Sequence, residues 1–216
     1  MTYRVKEIFH TLQGEGMRAG RAAVFCRFSG CNLWTGRAQD RPAAVCPFCD
    51  TDFVGTDGPG GGVFEDAATL AAAILAAFPY KTGEGYRPYV VFTGGEPALQ
   101  LDRPLIDILH AHGCEVAIET NGTVRLPEGI DWVTVSPKAG TRLAVTSGDE
   151  LKLVWPQHGI CPESYESLAF TYLLMQPRDG LGDAGRGDAE SEAVRWCLAH
   201  PRWRLCLQTH KYLGIP

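Results

Sequence analysis

The sequence predicts an α/β fold: an incomplete, TIM-like barrel of about six parallel strands with about three main helices. Three observations carry this. Short runs rich in β-branched and aromatic residues alternate with helical patterns through much of the chain. Polar, chemistry-bearing residues follow several of the strand runs, as they do where parallel strands deliver loops to one crevice. The chain has 216 residues, fewer than the about 250 of a full eightfold barrel.

In chain order, the predicted elements are AAVFCRF (22–28) as a strand, FEDAATLAAAILAAF (64–78) as a helix, YVVFT (89–93) as a strand and ALQLDRPLIDILHAHG (98–113) as a helix. Strands CEVAIET (114–120), DWVTV (131–135), ELKLVW (150–155) and FTYLLM (170–175) follow, then a helix DAESEAVRWCLAH (188–200) and a strand WRLCLQ (203–208). Each helix pattern begins near an acidic residue or a proline and ends at Gly or Pro, where termini are cheapest to form. The stretch GTDGPGGG (55–62) reads as a loop. With neither internal repeats nor a linker, residues 1–216 are expected to form one domain.

The first residues hold no apolar signal region, and no run approaches the length needed to span a bilayer, so the expected location is cytoplasmic and away from membranes. Eight cysteines in that setting suggest reduced thiols, some of them ligands. A net charge of −5 without a basic cluster lacks the electrostatic footprint of a nucleic-acid binder, which points to a small-molecule partner.

Residues suited to ligand binding follow five strand runs: Cys31, Thr93-Gly-Gly-Glu-Pro, Thr120-Asn-Gly, Ser136-Pro-Lys and Gln176-Pro. Cys31, Cys46 and Cys49 lie on a loop-like stretch, and Cys26 is the nearest further thiol. Four thiolates would make a structural zinc site, whereas three around a metal centre leave one position open. Cys26 shares the strand parity of Val24 and Phe28, which directs it into core packing. The cysteines alone leave zinc and an iron–sulfur centre both open. Cys114, Cys161, Cys197 and Cys206 are scattered and read as core or surface thiols.

The wider set of motifs decides more. C-x14-C-x2-C with Phe48 before the last cysteine, followed later by TGGEP, resembles the radical S-adenosylmethionine enzymes, although their usual spacing is C-x3-C-x2-C. LQGEG, R-x-x-G-C, CDT, TGGEP, ETNG, SPK and a C-terminal Q-x-H-K span nearly the whole chain and are similar to the 7-carboxy-7-deazaguanine synthases of the queuosine pathway, which carry such an expanded loop. Nothing in chain entropy forbids it, since lengthening a loop between two ligands costs little.

That resemblance implies a 4Fe-4S cluster on Cys31, Cys46 and Cys49 whose open iron binds S-adenosylmethionine. Reductive cleavage gives a 5'-deoxyadenosyl radical, which takes hydrogen from carbon 6 of 6-carboxy-tetrahydropterin, and an Mg2+-dependent ring contraction then releases ammonia. The radical carries the chemistry, so no side chain is nominated as catalytic. Cofactor contacts are expected from Phe48, Cys49 and Asp50, from Gly95 with Glu96 orienting groups nearby, from Ser136, Pro137 and Lys138, and from Gln176 and Pro177. A glycine at 95 lets backbone approach a ligand closely.

Substrate contacts are expected from Leu12, Gln13 and Gly14, whose amide and backbone groups suit a pterin edge, and from Thr93 and His210. Arg27 lies on the strand face opposite Cys26. It is assigned to the substrate carboxylate, with a protein ion pair as its alternative. Pro216 closes an apolar LGIP segment and would present a carboxylate to the pterin's N–H donors. Elementary ligand preference would give Mg2+ to Asp50 or Asp52, but the resemblance assigns it to the Thr51 hydroxyl. The resemblance further implies an electron donor such as flavodoxin and a homodimer. Two other classes are carried beside it, a glycyl-radical activating enzyme and a non-catalytic zinc-binding module.

Overall fold

The computed structural model describes residues 1–79, 86–179 and 182–216. Its strands are β1 (Tyr3–Leu12), β2 (Ala22–Phe28), β3 (Gly62–Phe64), β4 (Tyr89–Gly94), β5 (Glu115–Thr120), β6 (Trp132–Val135), β7 (Ser147–Trp155), β8 (Ala169–Pro177) and β9 (Trp203–Leu205). The helices are α1 (Ala67–Ala76), α2 (Arg103–Ala111), α3 (Gly182–Ala199) and the short α4 (Thr209–Leu213). Among the described residues the strands form one sheet in the order β3-β1-β2-β4-β5-β6-β7-β8-β9.

From β2 through β9 every neighbouring pair is parallel, and only β1 and β3 run antiparallel, so the expected set of about six parallel strands is seven. The sheet is open, with β3 and β9 as its edges, as an incomplete barrel requires. All seven strand runs and all three long helices of the sequence reading are present, β2 with the expected ends and the others with shifted ones.

Two strands escaped the sequence reading. In β1 the register shifts between Val5 and Glu7, and that bulge interrupts the two-residue alternation by which a strand is recognised. β3 has three residues and grows out of the stretch expected to be loop. The glycines there let the chain lie on the β1 edge, where the Gly58 N–H donates to the Lys6 carbonyl at 2.9 Å and a side chain at Gly58 would collide with that oxygen.

The alternation of each strand divides the sheet into two faces. On the outer face Val24, Cys26 and Phe28 of β2, Val90 and Phe92 of β4, and Val116 and Ile118 of β5 pack against Leu70 and Ile74 of α1 and Leu105, Ile106 and Leu109 of α2. Each such side chain withdrawn from water contributes about 1.5–3 kcal/mol. Asp66 caps α1 through Thr69 and Asp102 caps α2 through the Leu105 N–H, so both helices start where the acidic residues indicate. A second cluster, Leu151, Leu153, Leu173 and Met175 with Ala193 and Trp203, seats α3 on β8 and β9.

The inner face is apolar at the strand starts and polar at their ends. Ala23, Tyr89, Val91 and Ala117 form the apolar layer. Below it, Arg18 and Arg21 both pair with Glu115, at 2.5 and 2.7 Å, while their guanidinium carbons lie 4.0 Å from the ring centres of Trp132 and Tyr89 respectively. That plug fills the end of the half-barrel where β4, β5 and β6 begin. Beyond the apolar layer the inward residues include Arg27, Thr93, Glu119, Thr134 and Lys152, which line a cavity.

Candidate active site

A cavity of about 370 Å³ opens at the C-terminal ends of the parallel strands, within the range of small-molecule sites. Cys31, Cys46 and Cys49 all line it. Cys31 is positioned by the turn after β4: the Gly95 N–H donates to the Phe28 carbonyl at 3.3 Å and the Glu96 N–H to the Gly30 carbonyl at 2.9 Å. A side chain at Gly95 would overlap the Gly30 carbonyl and come within 2.8 Å of Cys31 Cβ. The glycine expected to admit a ligand also admits the cysteine loop.

Glu96 itself is fully buried and does not line the cavity. Its carboxylate accepts from the Thr120 hydroxyl at 2.6 Å, the Asn121 N–H at 2.7 Å and the Ala98 N–H at 2.9 Å. Glu96 therefore fastens the end of β4 to the end of β5. Burial pushes its carboxyl above the usual range.

All eight cysteines are free thiols, and Cys26 is wholly buried in the outer-face core. Burial pushes the Cys46 thiol up to about 11; the Lys138 charge acts the other way, and neighbouring Cys49 and Cys31 add to the rise. Among the described residues no group of three His, Cys, Asp or Glu side chains could hold a metal ion as it stands. The donor set on the cavity wall is nonetheless three soft thiols, which suits an iron–sulfur centre. The carboxylates beside them are engaged elsewhere. Asp50 pairs with Lys211 at 2.5 Å and Asp52 with Lys6 at 3.0 Å, and the cavity-lining Thr51 lies between them.

Ser136, Lys138, Gln176, Pro177 and Phe48 line the cavity; Pro137 does not. The Pro137 carbonyl accepts from the Gln157 amide at 3.3 Å, which turns this residue of the SPK turn away from the site. Lys138 donates to the Ser136 carbonyl at 2.8 Å and hydroxyl at 2.7 Å, and burial holds its ammonium below the usual lysine range.

Leu12, Gln13, Gly14, Arg27, Thr93, His210 and Pro216 line the same cavity, so the chain's two ends and the sheet's interior meet there. The amide of Gln13 donates to Glu119 at 2.9 Å and its oxygen accepts from the Glu15 N–H at 3.0 Å. Arg27 pairs through Nε with Glu7 at 2.7 Å, which makes the protein ion pair real while leaving Arg27 on the cavity wall. Gly14 fits beneath His210, and its carbonyl accepts from the Thr209 N–H and hydroxyl, each at 2.9 Å. The Thr11 hydroxyl donates to the Pro216 carbonyl at 2.9 Å.

Sequence reasoning missed the charged floor of the cavity. Lys152, 4% exposed, pairs with Glu15 and with Glu119 at 3.2 Å. Burial opposes the ammonium, but the two carboxylates outweigh it and hold Lys152 well above the ordinary lysine range. Burial likewise opposes ionisation of Glu15, and Lys152 overcomes it and holds that carboxyl below the usual range. The signal was a lysine at an inward position of the ELKLVW run, two residues after Glu150 on the same parity, with both carboxylates already inside the LQGEG and ETNG motifs. Gln208 donates to Glu15 at 2.8 Å, and Lys211 reaches Asp50 and Asp179, so α4 is tied to the loop after Cys49.

No protein-family model matches the chain. It is 99% identical over 216 residues to the 7-carboxy-7-deazaguanine synthase of Nitratidesulfovibrio vulgaris, covering 100% of both chains. Its identity to the 7-carboxy-7-deazaguanine synthase of Bordetella pertussis is 59% over 216 residues, again with 100% of both covered. The chain belongs to the 7-carboxy-7-deazaguanine synthase family. The crystal structure of QueE from Escherichia coli matches this family member with a TM-score of 0.70 and 29% identity, over 97% of this chain and 95% of that one. Membership removes the glycyl-radical activating enzyme and the zinc-binding module as readings, and the open sheet agrees with the incomplete barrel.

Proposed function

We propose that this chain is a radical S-adenosylmethionine carbon–nitrogen lyase that converts 6-carboxy-5,6,7,8-tetrahydropterin to 7-carboxy-7-deazaguanine with loss of ammonia, in queuosine biosynthesis. One observation carries the reading: a single cavity gathers three free thiols, the polar ends of the parallel strands and the C-terminal segment. Cys31, Cys46 and Cys49 would hold a 4Fe-4S cluster. When bound, that cluster supplies the electron that cleaves S-adenosylmethionine to a 5'-deoxyadenosyl radical.

The chain's own residues bind, orient and exclude water. The Gly95 turn, Ser136, Lys138, Gln176 and Phe48 form the wall that would face S-adenosylmethionine. Glu15, held ionised by Lys152, and Glu119 beside it offer acceptors to the pterin's N–H groups, while Arg27 offers donors to its carboxylate. His210 and Pro216 cover the substrate side through α4. Thr51, which lines the cavity within the C-D-T motif, is the proposed Mg2+ ligand by resemblance to the family. No helix among the described residues is long and apolar enough to cross a membrane. We assign the enzyme to the cytoplasm, with flavodoxin or a similar donor supplying electrons, and to a homodimer.

The test is anaerobic reconstitution followed by iron and sulfide analysis, then incubation with a reductant, S-adenosylmethionine, Mg2+ and 6-carboxy-tetrahydropterin. Formation of 7-carboxy-7-deazaguanine and 5'-deoxyadenosine is expected. A reconstituted protein that cleaves S-adenosylmethionine yet leaves the pterin untouched would overturn the substrate assignment.

A further inference from the structure

The fourteen residues between Cys31 and Cys46 form a folded unit that reaches forward to the cysteine pair. The Leu33 carbonyl accepts from the Val45 N–H at 3.1 Å, and the Thr35 hydroxyl donates to Asp40 at 2.6 Å, so the segment closes on itself. Trp34 is its anchor: 7% exposed, with its indole N–H donating to the Arg37 carbonyl at 3.2 Å and its ring edge-on to Phe53 at 5.6 Å. Gly36 permits that closure, since its φ is 82° and a side chain there would strike Val54 and Phe53. The guanidinium of Arg41 lies 4.1 Å from the centre of the Trp34 ring. From that platform one nitrogen, Nη1, donates to the Pro47 carbonyl at 2.6 Å and to the Cys49 carbonyl at 3.0 Å.

We infer that Arg41 is a positioning residue for the cluster ligands, fixing the Cys46–Cys49 turn from within the insertion. This rests on the iron–sulfur reading above. Two thiols separated by two residues present themselves together only if the intervening peptides keep one orientation. The carbonyls of Pro47 and Cys49 set that orientation, and a charge-assisted donor holds each of them. Stacking on a buried tryptophan limits the conformations Arg41 has to give up.

The experiment compares the full chain with Arg41→Met, Arg41→Lys and Arg37→Met after anaerobic reconstitution. Arg41→Met keeps the stem over Trp34 and removes the donors. Arg41→Lys restores a donor and the charge, and Arg37→Met removes an equal charge from the same segment without touching the turn. The readouts are iron and sulfide per chain, the rate of cluster bleaching in a chelator, and the melting temperature of unreconstituted protein. Arg41→Met should bleach about tenfold faster than the unmodified chain, with an unchanged melting temperature, while Arg41→Lys recovers most of the resistance and Arg37→Met behaves as unmodified. Equal bleaching of Arg41→Met and the unmodified chain would overturn the inference alone. So would an equal effect of Arg37→Met, or a fall in apo melting temperature that tracks the loss of cluster. If the unmodified chain assembled no iron–sulfur centre, the functional reading would fall with it.

Discussion

Cys26 and Cys31 are five positions apart, one within β2 and the other in the loop that follows it. Cys26 is sealed in the core with Val24 and Phe28, whereas Cys31 lies beyond the strand end on the cavity wall. Cys26→Ala is therefore expected to keep its iron and to lose about 1 kcal/mol of stability, a fall of about 2–4 °C in melting temperature. Cys31→Ala, Cys46→Ala and Cys49→Ala should each abolish S-adenosylmethionine cleavage, read as loss of 5'-deoxyadenosine. Thr51→Ala should reduce Mg2+ stimulation of product formation about tenfold while sparing that cleavage, measured by titrating Mg2+ in both assays.

Lys152 gives the clearest electrostatic expectation. Held above its ordinary range, it contributes stability that is present below the unfolded lysine pKa and lost as pH rises through the folded one. Glu15, held below its range, contributes stability present above the unfolded glutamate pKa and lost as pH falls through the folded one. Lys152→Met strands two carboxylates inside the half-barrel and should cost about 3–5 kcal/mol at neutral pH. The deficit should shrink below about pH 5, where carboxyls protonate, and urea titrations at both pH values would reveal it.

At the scale of elements, the helices were legible because their ends are written locally: Asp66 and Asp102 cap α1 and α2 through their own neighbours. α4 was not, since five residues hold too little periodicity, and it stands where it does through distant partners. Gln208, at its N-cap, bonds Glu15; within it Thr209 bonds Gly14 and Lys211 bonds Asp50. Gly214 ends it in the left-handed region at φ 63° and turns Ile215 and Pro216 back toward the cavity. Gly214→Val should cost about 1–2 kcal/mol locally. Its visible effect should be a higher KM for the carboxypterin at unchanged iron content, and an unchanged KM would separate this segment from substrate binding.

For the whole molecule, the sheet runs unbroken from β3 to β9, and Val133 packs against both outer-face clusters. With no linker between them, the two clusters should unfold together as one domain. Near-UV and far-UV circular dichroism should report a single coincident urea transition; two resolved transitions would divide the chain between the clusters.

By itself, the sequence determined the parallel α/β order and the family, because strand runs, helix caps and motif spacings are local properties. Pro137 and Glu96 do not line the cavity: the Pro137 carbonyl is held by Gln157, twenty positions away, and the Glu96 carboxylate by Thr120 and Asn121. Only the tertiary structure decided that Arg27 shares Glu7, that Lys152 is clasped by Glu15 and Glu119, and that Arg41 holds the cysteine turn. Each of these pairs a charge with a group that the local pattern does not select. Which carboxylate or carbonyl a buried cation meets is set by strand register and loop packing, and those form only when distant segments are brought together.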